Sequence, residues 1–599
     1  QVLAALGRHA AAAAAAIGAR RLGSLASKAA QCLLALDQAE LVCCLELLLD
    51  AGSELGAAGV VDGRQAIVSV LLQIATDGSA SVAALRGELF WALEARAMAS
   101  TAARRLVPAS PVHCAGGATQ PAEQWAWAGA ALEELLSSLP PEAELGLLRQ
   151  RAWVGQMERG EAEAVPADSA WGAPRAFPLA VWPPARLCLG LEGQPQQAMS
   201  RSTPTILRCR CRERGAPSPE KPAAAGPAQR TETAGLLLKR DAGMHCEQQV
   251  GQTLRLLERL IWEDASLCKL LASEGLGLED VRVTYVIAMT GPDTAMLEAV
   301  ETAHTLRSVR ASRHVAAPGA TGEPPGLLAF LRQHNHGGDL PKALVRLAFT
   351  AALSAVLSFA AGLGDRHHEN FMVTTDGRLL HVDYGYAFGR EPLDSVLIHY
   401  AVQGGPPATT LQYRELRRAL GSELLERVFW PVVRGAHLRV RRHAALLAEM
   451  AHTALVRRSR WSLLGSLAES QQSWATARAF VSRRCAPGLS EASAGRFVCS
   501  LLRYCAQHEQ GARLRDELKG LRLRERTQQA MAKACDAALA TGRQASVTFG
   551  QASQEATVAA REATAAARGA ASGLLDGVRE LLLEASVERE ADGAPPAWY

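Results

Sequence analysis

The chain has 599 residues, with 64 basic and 60 acidic side chains and a formal net charge of +4. At roughly 100–200 residues per domain, this length predicts about three to five domains. A hydrophobic fraction of 48% argues against wholesale disorder, and the near balance of charge gives no global sign of a nucleic-acid partner. We therefore expect a multidomain globular protein that does not bind nucleic acid and whose anion sites are local.

The numbers and spacing of lysines and cysteines further restrict the kinds of site that the chain can contain. Only seven of the 64 basic residues are lysines, so a lysine at a motif position is informative. The 13 cysteines include no CxxC pair and no zinc-finger spacing. We interpret them as reduced, mostly buried thiols.

Two apolar stretches resemble membrane-directed segments. The alanine run at residues 10–16 mimics the core of a signal peptide, but no basic region precedes it, so we interpret it as an internal helix. Residues 347–363 approach the length of a membrane span, but they include Thr350 and Ser354 and lead directly into the polar GDRHHEN. We expect a buried core helix there and no transmembrane segment.

The periodicity of apolar residues divides the chain into regions. Helical spacing over residues 1–140 predicts a helical accessory domain. A linker helix and a Pro-rich connection follow at 141–176. Short strands are predicted within 178–210 and in TAGLLLKRD and VRVTYVIAM, with an amphipathic helix in QTLRLLERLIWED; the Pro- and Ala-rich stretch around 213–233 predicts a solvated loop.

The second half of the chain is predicted to be mainly helical. Helices dominate from 327 to about 507, interrupted by the β-rich FMVTTDGRLLHVDYGYAFG. Within it, Thr375-Asp376-Gly377 predicts a hairpin turn. The Ala-, Arg- and Glu-rich tail at 508–599 is predicted to be helical or partly disordered.

Potential chemistry concentrates in residues 364–370, GDRHHEN, followed thirteen residues later by Asp383. A phosphoryl-transfer site needs oxygen ligands for metal ions around the ATP phosphates, and an acceptor for the proton of the attacking hydroxyl. Asn370 and Asp383 could hold Mg²⁺. Either His367 or Asp365 could accept the proton, and the sequence does not separate these two.

The segment GDRHHENFMVTTDGRLLHVDYGYAFGREP resembles the catalytic and activation segments of the phosphatidylinositol 3-/4-kinase superfamily. The order Asp-Arg-His, in place of the His-Arg-Asp of ordinary protein kinases, is specific to this superfamily. Within it, the continuation GYAFGREP is most similar to the class III phosphatidylinositol 3-kinases. GELFWALEARAM resembles the family's helical-domain signature, and CAPGLSEASAGRFVCSLLRYC its late kinase helices. The resemblance implies an α+β, bilobal kinase fold preceded by a solenoid-like helical domain, with a β-rich N-lobe at 177–300 and a helical C-lobe at 301–507.

The resemblance also implies roles for individual residues. ATP would be the phosphate donor and Mg²⁺ the metal, with Mn²⁺ as an alternative. Three departures from the family pattern bear on ATP affinity and rate more than on the fold. The segment after Lys239 lacks the family's GDDLRQD, Tyr384 replaces a Phe, and the Pro-rich insertion near 213–233 lengthens the first N-lobe hairpin. The implied ATP-binding residues are Lys239, Ser202, Glu247, Tyr285, Glu298 and Val300; the implied metal ligands are Asn370 and Asp383, and the implied catalytic residues are Asp365, Arg366 and His367.

The activation segment predicts the substrate. Between Tyr384 and Gly404 the only Lys or Arg is Arg390, with His399 as a second potential cation. A polyphosphorylated headgroup would need a basic cluster, so phosphatidylinositol is the better fit. The apolar Val396, Leu397, Ile398 and Tyr400 either touch the bilayer or pack on the C-lobe.

The class III resemblance implies a biological setting. It implies transfer to the inositol 3-hydroxyl by a cytoplasmic protein that is peripheral on endosomal and autophagic membranes, with a pseudokinase-type regulatory subunit. Two alternatives stay open: a phosphatidylinositol 4-kinase and a catalytically impaired kinase-like scaffold. The short loop with GREP argues against a third, a protein kinase of the related large Ser/Thr family.

Overall fold

The computed structural model describes residues 2–8, 10–77, 82–106, 125–159, 177–183, 186–197, 204–213, 232–311, 326–392, 409, 412–461 and 468–507. Several predictions lie outside these residues. They are the phosphate-contacting role of Ser202, the second cation His399, the bilayer contact of Val396, Leu397, Ile398 and Tyr400, most of the 213–233 loop, and the tail from 508 onward.

Helices form the N-terminal region, as the periodicity predicts. Asp37 caps one of them: its carboxylate accepts a hydrogen bond from Ala39 N–H at 3.1 Å, and Glu40 completes a capping box. Apolar faces from these helices share one core with the back of the first sheet. The helices are Val2–Arg8, Ala10–Ile17, Ala19–Gln31, Gln38–Ala57, Val61–Thr76, Ala83–Leu106, Ala126–Ser137 and Pro141–Glu158.

An antiparallel sheet follows, in the order β1-β2-β4-β5-β7-β6, with β3 also paired to β4. Alternate residues of β4 and β5 face the helical core, among them Leu207, Cys209 and Leu236. The other face of β4 and β5 is turned towards a cleft. The strands are β1 Phe177–Pro178, β2 Arg186–Leu191, β3 Gln196–Gln197, β4 Thr205–Glu213, β5 Glu232–Arg240, β6 Ile287–Met289 and β7 Thr294–Glu298.

The strand predicted for VRVTYVIAM is shorter than expected: only Ile287–Met289 pairs as β6. Two carboxylates hold the backbone before it. Val283 N–H donates to Glu258 Oε1 at 2.7 Å, and Val286 N–H donates to Glu298 Oε2 at 3.1 Å. Since these side chains satisfy donors that a ladder would use, the segment is held extended without being a strand.

The helix predicted for QTLRLLERLIWED begins earlier, and Met244–Ile261 is called here the Glu247 helix. Asp241 introduces it, because its carboxylate accepts from Gly243 N–H at 2.7 Å and its carbonyl accepts from Met244 N–H at 3.1 Å. The additional turns carry buried polar side chains, so apolar periodicity does not mark them. These are His245, Glu247, Gln248 and Gln249.

The remaining elements form a mainly helical lobe around the helix Asp339–Ala361. Of the described helices it alone is long and apolar enough to cross a membrane, and 83% of its apolar window is buried inside the fold. This confirms the predicted core helix. The helices are Ala265–Ser273, Leu306–Ala311, Leu327–His334, Asp339–Ala361, Tyr413–Leu424, Trp430–Arg442, Ala444–Trp461, Ala468–Cys485 and Glu491–Gln507, with a π-helical turn at Leu425–Phe429.

A second sheet packs against the helix Asp339–Ala361 of the helical lobe. It has the order β10-β9-β8, formed by Ala303–Thr305 (β8), Phe371–Thr374 (β9) and Leu379–His381 (β10). The β9–β10 hairpin turns at the predicted Thr375-Asp376-Gly377. Gly377 adopts a φ of 98°, and a Cβ there would meet Ala343 O at 2.3 Å, so glycine is required.

Candidate active site

A cleft of about 640 Å³ separates the β4-β5-β7 face from the β9–β10 hairpin. This volume is typical of small-molecule sites, and a mostly apolar wall with a few polar groups is typical of their chemistry. Residues lining it include Ile206, Leu237, Lys239, Glu247, Tyr285, Leu297, Glu298, Val300, Asn370, Met372 and Asp383. The cleft thus brings together seven of the predicted residues, five from the N-lobe and two from the C-lobe.

Lys239 reaches the cleft from the end of β5. Its Nζ donates to Glu247 Oε2 at 2.7 Å and lies 3.9 Å from Asp383 Oδ1. The side chain of Lys239 is 12% exposed and that of Glu247 only 3%. The ammonium is therefore held in one place, between a buried carboxylate and one that borders the cleft.

Electrostatics keep this lysine charged. Burial lowers the pKa of Lys239, but the carboxylates of Glu247 and Asp383 more than offset it, and the net pKa lies above the usual value. Burial raises the pKa of Glu247, and the Lys239 ammonium opposes that rise. A raised lysine pKa means that the cation persists throughout the neutral and mildly alkaline range.

Lys239→Met is expected to weaken ATP binding about tenfold or more, because the charge-assisted contact to phosphate oxygens is lost. Equilibrium titration with a fluorescent ATP analogue measures the effect. Lys269→Met, on the helix Ala265–Ser273, is the control and should bind as wild type. Equal affinities for wild type and Lys239→Met would contradict the assignment.

Asn370 and Asp383 are brought side by side by the β9–β10 hairpin. Asn370 precedes β9, Asp383 follows β10, and Val382 N–H donates to Asn370 O at 3.1 Å across the pair. The Nδ2 of Asn370 donates to Asp365 O at 3.0 Å, which leaves its amide oxygen as the atom suited to a metal. Asp383 has a φ of 61°, unusual for a non-glycine residue and common at functional sites.

These residues fit a nucleotide-bound divalent metal. Across the described ranges, no group of three His, Cys, Asp or Glu side chains forms a metal site by itself. An amide oxygen and a carboxylate make a two-ligand set, which Mg²⁺ or Mn²⁺ completes with phosphate oxygens and water. Lys239 supplies the cation that the same phosphates need, so the donor set suits ATP with its metal.

Asp365 and His367 lie in the loop before β9. Asp365 adopts a φ of 55°, and its Oδ1 is 3.7 Å from His367 Nε2. Glu369 N–H donates to His367 Nδ1 at 3.2 Å. Because Nδ1 accepts this hydrogen bond, a neutral His367 carries its proton on Nε2, on the side of the Asp365 carboxylate.

Arg366 points away from the cleft into the protein. Its guanidinium donates to Gly364 O at 2.7 Å, to Val382 O at 2.9 Å and to Asp383 O. The side chain is 3% exposed, and burial lowers its pKa although it stays protonated. Its contacts therefore join the loop before β9 to the segment that carries Asp383, which makes Arg366 a positioning residue in this geometry.

Glu391 is a site residue that the motif did not single out. Its Oε2 accepts from Asp365 N–H at 2.9 Å. A Cβ at Gly364 would meet Arg390 O at 2.0 Å, so only glycine permits this approach. Glu391 of the GREP tetrapeptide thus binds the loop before β9 directly. Only the folded structure reveals this contact.

The inner wall of the cleft is aromatic. Tyr285 stacks on Tyr384 with ring centroids 5.0 Å apart and planes inclined by 24°. Burial raises the pKa of Tyr285 well above its usual value, and the neighbouring Tyr384 adds to this. Both rings are therefore neutral over the physiological pH range. Tyr384, which replaces the family's Phe, packs against Tyr285.

The predicted hinge, residues 298–300, forms the wall of the cleft beyond β7. The carboxylate of Glu298 is occupied, since it accepts from Arg282 and from Val286 N–H. Among the described residues, the backbone N–H of Val300 has no hydrogen-bond partner. The geometry therefore fits recognition of adenine by the backbone of Val300. The side chain of Glu298 holds neighbouring groups in place and contributes to the wall of the cleft.

Acid is expected to destabilise the protein through His381, on β10 beside the site. Burial lowers its pKa well below the unfolded value of 6.5, and Arg366 adds to the shift. The unfolded chain then binds the extra proton, so stability is full above about pH 6.5 and falls as the pH drops, by up to about 1.4 kcal/mol per pH unit. Thermal unfolding from pH 7.5 to 5 should show a shallower decline for His381→Leu than for wild type. Parallel pH profiles would contradict this.

The comparisons with known proteins agree with this geometry. Residues 265–397 match the family described as phosphatidylinositol 3- and 4-kinase. Phosphatidylinositol 3-kinase 1 of Dictyostelium discoideum is 32% identical over 139 residues, covering 23% of this chain and 8% of the relative. Phosphatidylinositol 3-kinase pik3 of Schizosaccharomyces pombe is 29% identical over 165 residues, covering 26% and 18%.

A third relative, phosphatidylinositol 3-kinase VPS34 of Saccharomyces cerevisiae, is 29% identical over 154 residues, covering 25% of this chain and 16% of the relative. The chain thus matches less than a fifth of the length of these three relatives. The family match begins after Lys239 and Glu247, so their assignment rests on geometry. It includes Asp365, Asn370 and Asp383, and the fold around it is the expected α+β kinase fold. Residues 265–397 are thus similar to the kinase domain of the phosphatidylinositol 3- and 4-kinase family.

Proposed function

We propose that this protein transfers the γ-phosphate of ATP to the 3-hydroxyl of phosphatidylinositol, giving phosphatidylinositol 3-phosphate. The observation that carries the proposal is one cleft holding Lys239, Asn370 and Asp383, with Asp365 in the adjoining loop. That set contains a phosphate-binding cation, a pair of metal ligands and a proton acceptor, the parts that phosphoryl transfer needs. The names of the relatives support the 3-hydroxyl as acceptor.

In the proposed mechanism, adenine lies against the wall formed by Tyr285, Leu297 and Val300, and Lys239 binds the phosphates. Asn370 and Asp383 would hold Mg²⁺, which would neutralise charge developing on the phosphate oxygens. Positioning and charge stabilisation supply most of the rate in such reactions. The Lys239–Glu247 contact provides that positioning before any substrate arrives.

The proton of the inositol hydroxyl passes to Asp365 in this proposal. His367 carries its own proton on Nε2 because Glu369 N–H occupies Nδ1, so it donates rather than accepts. Its Nε2–H orients the Asp365 carboxylate or stabilises the transferring phosphate. The structure thus favours Asp365 over His367 for a role that the sequence left open between them.

Phosphate transfer to phosphatidylinositol vesicles, with radiolabelled ATP and Mg²⁺, tests the proposal. Headgroup analysis after deacylation is expected to show the 3-phosphate. A product that is only the 4-phosphate would favour the alternative kinase. No transfer to lipid under Mg²⁺ or Mn²⁺, with ATP still bound, would favour the impaired scaffold.

Substrate choice and setting follow from the same proposal. Since Arg390 is the only Lys or Arg between Tyr384 and Gly404, we propose unphosphorylated phosphatidylinositol in preference to its phosphorylated forms. Peripheral association with endosomal or autophagic membranes, and a pseudokinase-type regulatory subunit, are proposals from the class III resemblance. Fluorescence localisation of the whole protein and co-purification from its own cells test them.

A further inference from the structure

The N-terminal helices from Val2–Arg8 to Pro141–Glu158, called here the helical region, contact one element of the kinase fold, the Glu247 helix. Glu88, on the helix Ala83–Leu106, accepts from Arg255 Nη1 at 3.0 Å and lies 3.5 Å from Gln252 Nε2. The Glu88 side chain is 4% exposed and that of Arg255 18%. This ion pair is therefore largely removed from water, where loss of one partner has large consequences.

Two further contacts join the same elements. An apolar cluster brings Cys43 and Leu47 of the helical region against Leu256 and Leu260 of the Glu247 helix, with Met450. Beyond it, Arg259 pairs with Asp37, the residue that caps the helix Gln38–Ala57. Polar and apolar contacts thus hold the second half of the Glu247 helix against the helical region.

The first half of that helix serves the active site. Glu247 lies eight residues before Arg255, about 12 Å along a straight helix. Its carboxylate is the 2.7 Å partner of Lys239 Nζ, and it also lies 3.4 Å from Tyr384 N–H, next to Asp383. Because a helix moves as a rigid rod over this length, a shift at Arg255 is transmitted to Glu247 and then to Lys239.

We propose that Glu88 is a positioning residue for ATP: by neutralising Arg255 it fixes the Glu247 helix, and thereby the phosphate-binding Lys239. Without the Glu88 carboxylate, Arg255 is a buried cation lacking its counter-charge, and a shift of the helix towards solvent relieves that cost. The inference rests on the proposed function only in that ATP occupies the cleft.

Glu88→Gln, which keeps size and hydrogen-bonding capacity, tests the proposal. We expect the Kd for a fluorescent ATP analogue and the KM for ATP to rise roughly three- to tenfold. The KM for lipid should not change, because Glu88 contacts the Glu247 helix and not the C-lobe loops. A stability defect alone would instead lower the active fraction and leave both constants for ATP unchanged.

Glu46→Gln is the matched control. Glu46 is as deeply buried and pairs with Arg96 at 2.7 Å within the helical region. It should lose stability while the Kd for the ATP analogue stays at the wild-type value. Equal weakening of ATP binding by Glu46→Gln and Glu88→Gln would overturn the proposal, since general loosening of the helical region would then explain both.

Two further variants keep the test decisive if Glu88→Gln does not fold. The double variant Glu88→Arg with Arg255→Glu restores a charge pair and should recover ATP affinity relative to Glu88→Arg alone. Arg255→Lys retains the charge that Glu88 neutralises, so a Kd closer to wild type than that of Glu88→Gln is expected. An Arg255→Lys protein that binds ATP no better than Glu88→Gln does would overturn the proposal.

The two proposals fail in distinguishable ways. A wild-type protein that binds the ATP analogue but phosphorylates no lipid overturns the proposed function, and the effect of Glu88 can still be read from the Kd. A wild-type protein that phosphorylates lipid, with Glu88→Gln unchanged in both the Kd and the KM for ATP, overturns the inference alone.

Discussion

Asp383→Ala is expected to lower the rate of phosphate transfer by about 10³-fold or more, because charge stabilisation around the transferring phosphoryl group is the main source of rate. The carboxylate is 48% exposed at the edge of the cleft, so little folding energy depends on its burial. Transfer of radiolabelled phosphate to phosphatidylinositol vesicles at saturating ATP measures the loss.

A second aspartate provides the control. Asp293 pairs with Arg240, the residue that follows Lys239 at the end of β5. Asp293 is not among the residues that line the cleft, and its side chain is 41% exposed. Asp293→Ala should keep most of the activity. If Asp383→Ala transferred phosphate as fast as Asp293→Ala does, the assignment of Asp383 and the kinase proposal itself would have to be abandoned.

Arg366→Ala is expected to lower the free energy of unfolding by about 3 kcal/mol or more, because several buried carbonyl groups lose a charged donor together. The affected carbonyls belong to Gly364, Val382 and Asp383. Denaturant unfolding measures the change. The surface pair Arg442–Glu491 supplies the control, since Arg442→Ala should cost no more than about 1 kcal/mol.

Comparing Arg366→Ala with a second substitution, Arg366→Lys, separates a positioning role from direct catalysis. Arg366→Lys keeps the charge but loses the planar fork, so it should fall between wild type and Arg366→Ala in both stability and rate. A catalytic Arg366, as the motif implied, would give a different result. In that case Arg366→Ala would unfold at the wild-type denaturant concentration while transferring no phosphate.

Local chemistry explains what could be predicted. The hairpin at 375–377, strand β5 and the buried helix Asp339–Ala361 each follow from patterns within about twenty residues. The sequence predicts that Asn370 and Asp383 lie side by side, because a tight hairpin between them leaves little freedom in where its two ends lie. Patterns within short stretches of sequence therefore predict most of the residues that line the site.

Elements that depend on distant partners were not predictable from such patterns. The Glu247 helix starts before its apolar periodicity does, since its buried polar residues are accommodated by other parts of the fold. The strand expected from 281 is replaced by backbone bound to Glu258 and Glu298. In both cases a contact with a distant part of the chain supplies the hydrogen bond or the burial. A local sequence pattern attributes these to a helix or a strand.

By itself, the sequence determined the kinase-like fold and predicted which side chains meet in the cleft, because oxygen ligands and a lysine at these spacings are the pattern that phosphoryl transfer needs. Only the tertiary structure decided how those side chains are oriented and paired. It turned Arg366 inward, brought Glu369 N–H to Nδ1 of His367, and paired Glu88 with Arg255 across 167 positions of the chain. Directions and long-range pairings of charged groups depend on packing, which no spacing along the chain encodes.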